Sequence, residues 1–548
     1  MTAPFHHENR GPAPKVPSPV ATTRSVIVAL TCTSVLLQVF IDPSQTNLAT
    51  AVIAGVSSIL TALYVFRRGV MTVTPISSLI VFGLGFTLLL GPLTFQTLDW
   101  RPIAFNLDAP VAAVGTAAFA SLLACLTHAI YRALPPCGIA SQALARTVHT
   151  ALFVFRTPTN VQLWLMGFIG IAATWTTGTA DAGQAVEYGD VGGKLLQAFS
   201  PFILAPAFIV IAPYLFPSRA AKPPNWIQLL AYFGLVLVLA FARNSRGGFA
   251  VILFVLILCL ATAVWTGRLK PDRRAALGGL AAIVIGLPAL SFLSDVSTAM
   301  LIHRSARNEV SATELIERTL ETAGDPIALK NYRAKASIID NRYNEIYIAS
   351  DFLGRLTLLK FLDLNIRHTQ GITESQKDYA RHIFVQRLLA NLPTPVLTRI
   401  GLDVDKSTLK FSGGDVYRFI ASRGEKGAYV TGSALADGLA IMGLLFWPFL
   451  MVLALVSFVI NDAFVRYGSG WGLFISPAIL FQVDKLFMFG LNGDNLANVI
   501  GGLLRGYPQS LLLYAGLFLV TGMMSGVSTR SDRFRIPTRT PHRPGQAR

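Results

Sequence analysis

Between two long apolar runs stands Arg243-Asn244-Ser245-Arg246-Gly247-Gly248. Two guanidinium groups sit where the chain leaves one run and enters the next. A charge at bilayer depth costs roughly 2.5–3.5 kcal/mol on insertion scales, and less near the interface. A partner, an anion or a water-filled cavity offsets such a cost. Arg243 and Arg246, three apart, can fork around one anion, and a planar guanidinium matches phosphate in bidentate fashion. Ser245 can cap the next helix or donate its hydroxyl. Gly247 and Gly248 leave that helix start open to close approach, and its first N–H groups carry the positive end of the dipole. The pattern describes a seat for a phosphate or diphosphate. The competing reading is that both arginines snorkel to lipid headgroups.

A second cluster, Gly432-Ser433-Ala434-Leu435-Ala436-Asp437-Gly438, leads directly into another apolar run. Asp437 is a candidate general base or an anchor for an arginine. A helix-start carboxylate meeting the dipole is the alternative. Upstream stand Arg381, Arg387, Arg399 and Arg418, each of which reads first as a solvated surface charge. Arg387 is preferred as a ligand because it falls in an amphipathic stretch ahead of Leu392-Pro393, with Arg418 as its substitute. A third feature is Asp484-Lys485, followed by Asn492-Gly493-Asp494-Asn495 and Arg505-Gly506. An Asp–Lys neighbour inside a membrane is a functional hypothesis by default, and at a span end it also reads as an interface anchor. His303, His368 and His382 lack metal-ligand spacing, and no paired-carboxylate or nucleophile motif stands out.

The elements that position these residues follow from composition. Of 548 residues 53% are apolar and 14% charged, and mean hydropathy is +0.54. A soluble protein averages about 25% charged. Apolar runs of membrane-spanning length, about 17–25 residues, recur near 25–41, 46–66, 71–95, 110–131, 161–180, 196–216, 226–242, 247–267, 275–294, 437–460, 469–486 and 507–525. The expectation is an all-α polytopic membrane protein of about twelve spans. A tail (1–24) precedes about nine spans (25–294), a large loop (295–436), about three spans (437–525) and a basic tail (526–548). The first run lacks a small-residue cleavage site and reads as a retained span.

The formal charge of +17 comes from alternate short loops and the C-terminal tail. The positive-inside rule explains it better than nucleic acid does, and places both termini in the cytoplasm. The four cysteines form neither a disulfide framework nor a zinc pattern. Residues 295–436 are far too long for a simple connection. Ser311 with Glu314 suggests a capping box, and Ser375 with Asp378 opens a second helix. Ile346 to Leu362 reads as a helix lying on membrane or spans, or equally as a core helix of the loop domain. The segment 140–155 reads as an interfacial helix.

Taken together, the Arg243–Gly248 turn, the large loop after the ninth span, the Leu392-Pro393 region, and Gly432–Gly438 with Gly443 resemble the Wzy-type polysaccharide polymerases, one superfamily with the O-antigen ligases. The resemblance implies a metal-independent glycosyltransferase of the bacterial inner membrane, with its site on the periplasmic side. Its substrates would be oligosaccharide repeat units on undecaprenyl diphosphate, with no cofactor, metal or nucleotide sugar. A chain-length regulator and a flippase of the same pathway are candidate partners. Ligases typically carry a histidine shortly before the Ser…Glu/Gly segment. Here Gly427-Ala428-Tyr429-Val430-Thr431 has none, and Asp437 stands where the family usually has a glutamate. On this reading Arg243, Ser245, Arg246 and Gly247 hold one diphosphate, Arg387 or Arg418 closes from the loop, and Asp437 is base or orienter. An O-antigen ligase and a lipid-linked oligosaccharide transporter are the alternatives.

Overall fold

The computed structural model describes residues 18–67, 69–176, 191–216, 224–242, 247–270, 294–300, 302–303, 312–338, 347–409, 411–422, 426, 430–468 and 472–526. Among the described residues the regular elements are helical apart from one hairpin. Helices α1 (Pro19–Ile41), α2 (Gln45–Val65), α3 (Pro75–Leu98) and α4 (Pro110–Ala133) form an antiparallel bundle. Prolines open α1, α3 and α4 in the first turn, where a missing N–H costs nothing. Helix α3 is the central one, with 94% of its apolar window buried.

The amphipathic segment expected at 140–155 is α5 (Pro135–Leu144), continued by a π-turn to His149. Next come α6 (Asn160–Thr176), α7 (Leu195–Leu215), α8 (Trp226–Ala242) and α9 (Gly247–Trp265). Helices α6 and α7 touch at backbone distance: a Cβ on Gly170 would lie 2.2 Å from Ile203 N. The expected span 275–294 lies outside the described residues but for its last position.

In the large loop, α10 (Ala312–Ala323) and α11 (Pro326–Ile338) precede α12 (Leu359–Thr369), α13 (Glu374–Ala390), α14 (Thr394–Arg399) and α15 (Gly413–Ser422). Ser311 lies outside the described residues. Helix α13 starts earlier than expected. Thr373 is its N-cap and Gln376 completes the box, so Ser375 and Asp378 are already inside it. Gly371, at φ +78°, makes the preceding turn.

The expected single helix from Ile346 to Leu362 is instead a short turn at Asp351–Gly354 followed by α12. Between them Leu358 N–H donates to the Thr87 carbonyl at 2.9 Å. That carbonyl is free because α3 takes a π-turn over Phe86–Leu90. Leu359 and Leu362 are fully buried, and α12 packs on both spans and loop. The Asp363 carboxylate caps the start of α4, accepting from Asp108 N and Ala109 N at 2.8 and 2.7 Å.

The chain re-enters the bundle as α16 (Ala434–Asp462), ends that crossing in a hairpin of β1 (Val465–Gly468) and β2 (Gly472–Ile475), and returns through α17 (Pro477–Leu480) and α18 (Val483–Phe489). It closes with α19 (Leu496–Met524). The run 469–486 is therefore not one continuous helix. Glycines favour a reversal at its start, and Pro477 begins a new helix after the Ser476 cap. Another break falls at Phe481-Gln482. Helix α18 nests against α3, where a Cβ on Gly83 would lie 2.1 Å from the Phe487 carbonyl oxygen.

Of all these, α1, α2, α3, α4, α7, α16 and α19 are long and apolar enough to cross a membrane, and α8 and α9 are shorter apolar helices. The chain is an all-α membrane protein on that basis. At the end opposite the large loop, Ser77 donates to Asp462 at 2.6 Å, His128 Nε2 meets Ser77 Oγ at 2.8 Å and Tyr64 meets His128 Nδ1 at 2.8 Å. This buried chain links α2, α3, α4 and α16.

Candidate functional site

Where the large loop meets the starts of α16 and α19, polar side chains converge. Asp437 lies in the first turn of α16 and is 8% exposed. One carboxylate oxygen accepts from Leu496 N at 2.8 Å, the first N–H of α19, and the other accepts from the Tyr417 hydroxyl. A carboxylate at a helix start completes orphan N–H groups and meets the positive dipole end. Asp437 thus ties two helix starts to α15.

Asp494 does the same for the loop backbone. Its two oxygens accept from Gly413 N and Gly432 N, both at 2.7 Å, and Asn495 Nδ2 adds a third donor at 3.0 Å. Only glycine fits at those positions: a Cβ would stand 2.1 Å (Gly413) or 2.0 Å (Gly432) from the Asp494 carbonyl oxygen. Asp415 accepts from Val430 N at 3.1 Å and Ser412 N at 3.2 Å. Asn492 Oδ1 accepts from Ser433 Oγ at 2.8 Å. The glycine-rich segment before α16 is therefore a backbone clamp on three acidic or amide side chains.

Arg387, near the end of α13, reaches into this node. Its guanidinium donates to the carbonyls of Phe411 and Ser412 at 2.6 and 2.9 Å and stacks on the Phe411 ring at 4.6 Å. Burial pushes its pKa below the usual arginine value, and the neighbouring Asp494 and Asp437 oppose that shift. Burial and then Asp437 push Tyr417 well above an ordinary tyrosine, so it serves as a proton-bearing donor.

Of the residues singled out from sequence, Asp437, Arg387, Gly432, Ser433 and the Asn492–Asn495 segment share this node. Arg418 follows Tyr417 on α15, about 100° further around the helix. Arg243, Ser245 and Arg246 lie outside the described residues. Gly247 is the first residue of α9. Arg381 donates to the Ile441 carbonyl at 3.1 Å and pairs with Asp378 at 2.6 Å. Tyr417 and Asp415 were not singled out. Their only signal was the pattern Gly413-Gly414-Asp415-Val416-Tyr417, whose buried face the structure defines.

Two cavities flank the node. A void of about 10 Å³ between Arg387, Val416, Asp437 and Asn495 has room for about one water. On the other side of Asp494 a cavity of about 710 Å³ runs between α16, α18 and α19, bordered by Gln482, Lys485, Asn498 and Arg505. It falls in the range of small-molecule sites. Among the described residues no group of three or more His, Cys, Asp or Glu is placed to hold a metal. Fixed cations and donors here can stabilise anionic charge. No family model, no curated protein and no solved structure matches the chain.

Proposed function

We propose that the chain extends glycans by joining oligosaccharide units carried on lipid diphosphate, at the membrane face that bears the large loop. One observation carries this reading. A loop-borne arginine and three carboxylates meet the starts of two crossing helices, beside a cavity large enough for a lipid head. On this reading a sugar hydroxyl of one unit attacks the anomeric carbon of the other. The new C–O bond forms as the bond to diphosphate breaks, the diphosphate leaves as its anion, and the hydroxyl proton passes to water. Negative charge grows on the departing diphosphate. Preorganised cations and helix starts stabilise such charge without reorganising, the part assigned to Arg243, Arg246 and Arg387. Asp437 acts here through Tyr417 and α19 as a positioning residue. A transporter of lipid-linked glycans is the second reading, favoured by the reach of the large cavity along α19.

The test is a deletion strain, with the lipid-linked and exported glycans resolved by length. A polymerase leaves single units, transferred or held on the carrier at the outer face. Complementation by Arg246→Lys at normal protein level should fail to restore length, because a point charge replaces a fork. Long polymer in the deletion strain, or units trapped at the cytoplasmic face, would overturn the proposal.

A further inference from the structure

We infer that the 710 Å³ cavity is a seat for a polyprenyl diphosphate, with the diphosphate between Lys485 and Arg505 and the prenyl chain running down α19. The identity of the lipid rests on the proposed function; the seat itself rests on the cavity. Its wall follows one face of α19 from Asn498 to Tyr514, about 24 Å at 1.5 Å per residue. The stretch from Arg505 to Tyr514, about 14 Å at that rise, is about half of the roughly 30 Å hydrocarbon core of a bilayer. Helix α19 has 29 residues, more than the roughly 20 that cross this core. Counting about 20 residues back from Met524 places Arg505 at the boundary where lipid phosphates lie.

Lys485 borders the same cavity from α18. Lys485 and Arg505 are both exposed, and among the described residues neither forms an ion pair. The one other charged residue of the wall is Asp494, whose carboxylate already accepts from Gly413 and Gly432 N–H. Below this mouth the wall is largely aromatic and aliphatic, with Phe202, Phe464, Phe481, Leu513 and Tyr514. A cationic rim above an apolar trough complements an amphiphile with an anionic head. Two cations match a diphosphate better than the single charge of a phosphodiester lipid, and one trough takes one chain.

Two further features clear the mouth. Helix α19 takes a π-turn at Gly502–Gly506, a local widening common at functional sites. A Cβ on Gly502 would meet nothing within 4 Å, so that backbone is open to a ligand. No described residue of α8 or α9 lines this cavity, although α9 packs against α18.

The experiment uses the full chain in phosphatidylcholine nanodiscs and follows a labelled polyprenyl diphosphate. Unlabelled undecaprenyl diphosphate, phosphatidylglycerol and inorganic diphosphate compete. Undecaprenyl diphosphate should compete about tenfold or more better than either of the others, and Lys485→Gln and Arg505→Gln should each weaken binding about tenfold. Gly502→Trp, which fills the mouth and leaves both cations, should weaken the lipid and elute as a monodisperse species like the parent. Equal competition by phosphatidylglycerol or inorganic diphosphate, or variants that bind like the parent, overturns the seat. Binding is read without glycan, so a chain that binds lipid but whose loss leaves polymer intact sinks only the proposed function.

Discussion

Replacing Tyr417 with phenylalanine isolates one bond of the polar node. Tyr417 is 2% exposed and its ring is retained, so only the hydroxyl is deleted. That hydroxyl donates to one oxygen of Asp437, while the other oxygen holds Leu496 N at 2.8 Å. The variant leaves a buried carboxylate oxygen without a donor. Hydrogen bonds to charged groups contribute about 1.5–3 kcal/mol, and a buried polar atom left unsatisfied costs about 1–3 kcal/mol. The expected loss is about 2–3 kcal/mol, or roughly 30- to 140-fold in the folding equilibrium.

The assay is equilibrium unfolding in mixed micelles for Tyr417→Phe, Asp437→Asn and the double variant. A contacting pair should show a coupling of about 1–2 kcal/mol, because the second substitution removes an acceptor that the first has already orphaned. A Tyr417→Phe protein within about 0.5 kcal/mol of the parent, with coupling below about 0.3 kcal/mol, would refute the reasoning. It would mean that water replaces the hydroxyl and that Asp437 does not position α15.

Gly83→Ala should sharply lower expression and stability, by about 1–3 kcal/mol or more, since its Cβ would stand 2.1 Å from the Phe487 carbonyl oxygen. Gly115→Ala, with nothing within 4 Å of its Cβ, is the control and should be neutral; equal behaviour of the two would discount the α3–α18 contact. A pH dependence follows from His149, which is fully buried with Nδ1–H donating to the Ala463 carbonyl at 2.9 Å and Nε2 accepting from Tyr507. Burial lowers its pKa to about 4 from 6.5, so the unfolded chain takes up the proton first. Its contribution is fully present above pH 6.5 and is lost as pH falls toward about 4. His149→Gln should flatten that part of the melting-temperature profile, and superimposable profiles would show that the imidazole does not titrate there.

Several spans were legible because their signal is local. Runs such as 46–66 and 110–131 carry their length and apolarity in consecutive residues, and α2 and α4 follow them closely. The broken crossing was not legible, because an apolar run of the right length reads alike whether its backbone is continuous or interrupted at Phe481-Gln482. The node was legible in parts. Asp437, Arg387 and the Asn492–Asn495 segment each stood out singly, yet nothing local says that Gly413 and Gly432 clamp Asp494 or that Tyr417 bonds Asp437. Those contacts join residues far apart in the chain, and they depend on how α13 and α15 lie against α16. Arg387 was preferred for its place before Leu392-Pro393; what holds it is the Phe411 ring and two carbonyls.

The polar node and the broken crossing answer one physical constraint. Helix α19 has 29 residues, about nine more than the hydrocarbon core needs, and α16 is interrupted at Gly443 (φ +58°), which sets its loop-side turns apart from the 17-residue stretch Phe446–Asp462. Asp437 and Leu496 lie in the first turns of those helices, at the end that bears the loop. With Asp462 and Met524 near the opposite boundary, the node stands clear of the hydrocarbon, although burial in protein still pushes the Arg387 pKa down. The gap between α17 and α18 has no such freedom. Irregular backbone at bilayer depth is tolerated only where protein or a polar cavity covers it, and the large cavity lies against Phe481 and Gln482. Protein covers the break, with Phe481 packed on Phe202, Phe208 and Tyr514, and the adjoining cavity opens toward Asp494 at the edge of the node. A continuous helix through 477–489 would close that connection and separate the trough from the cluster above it.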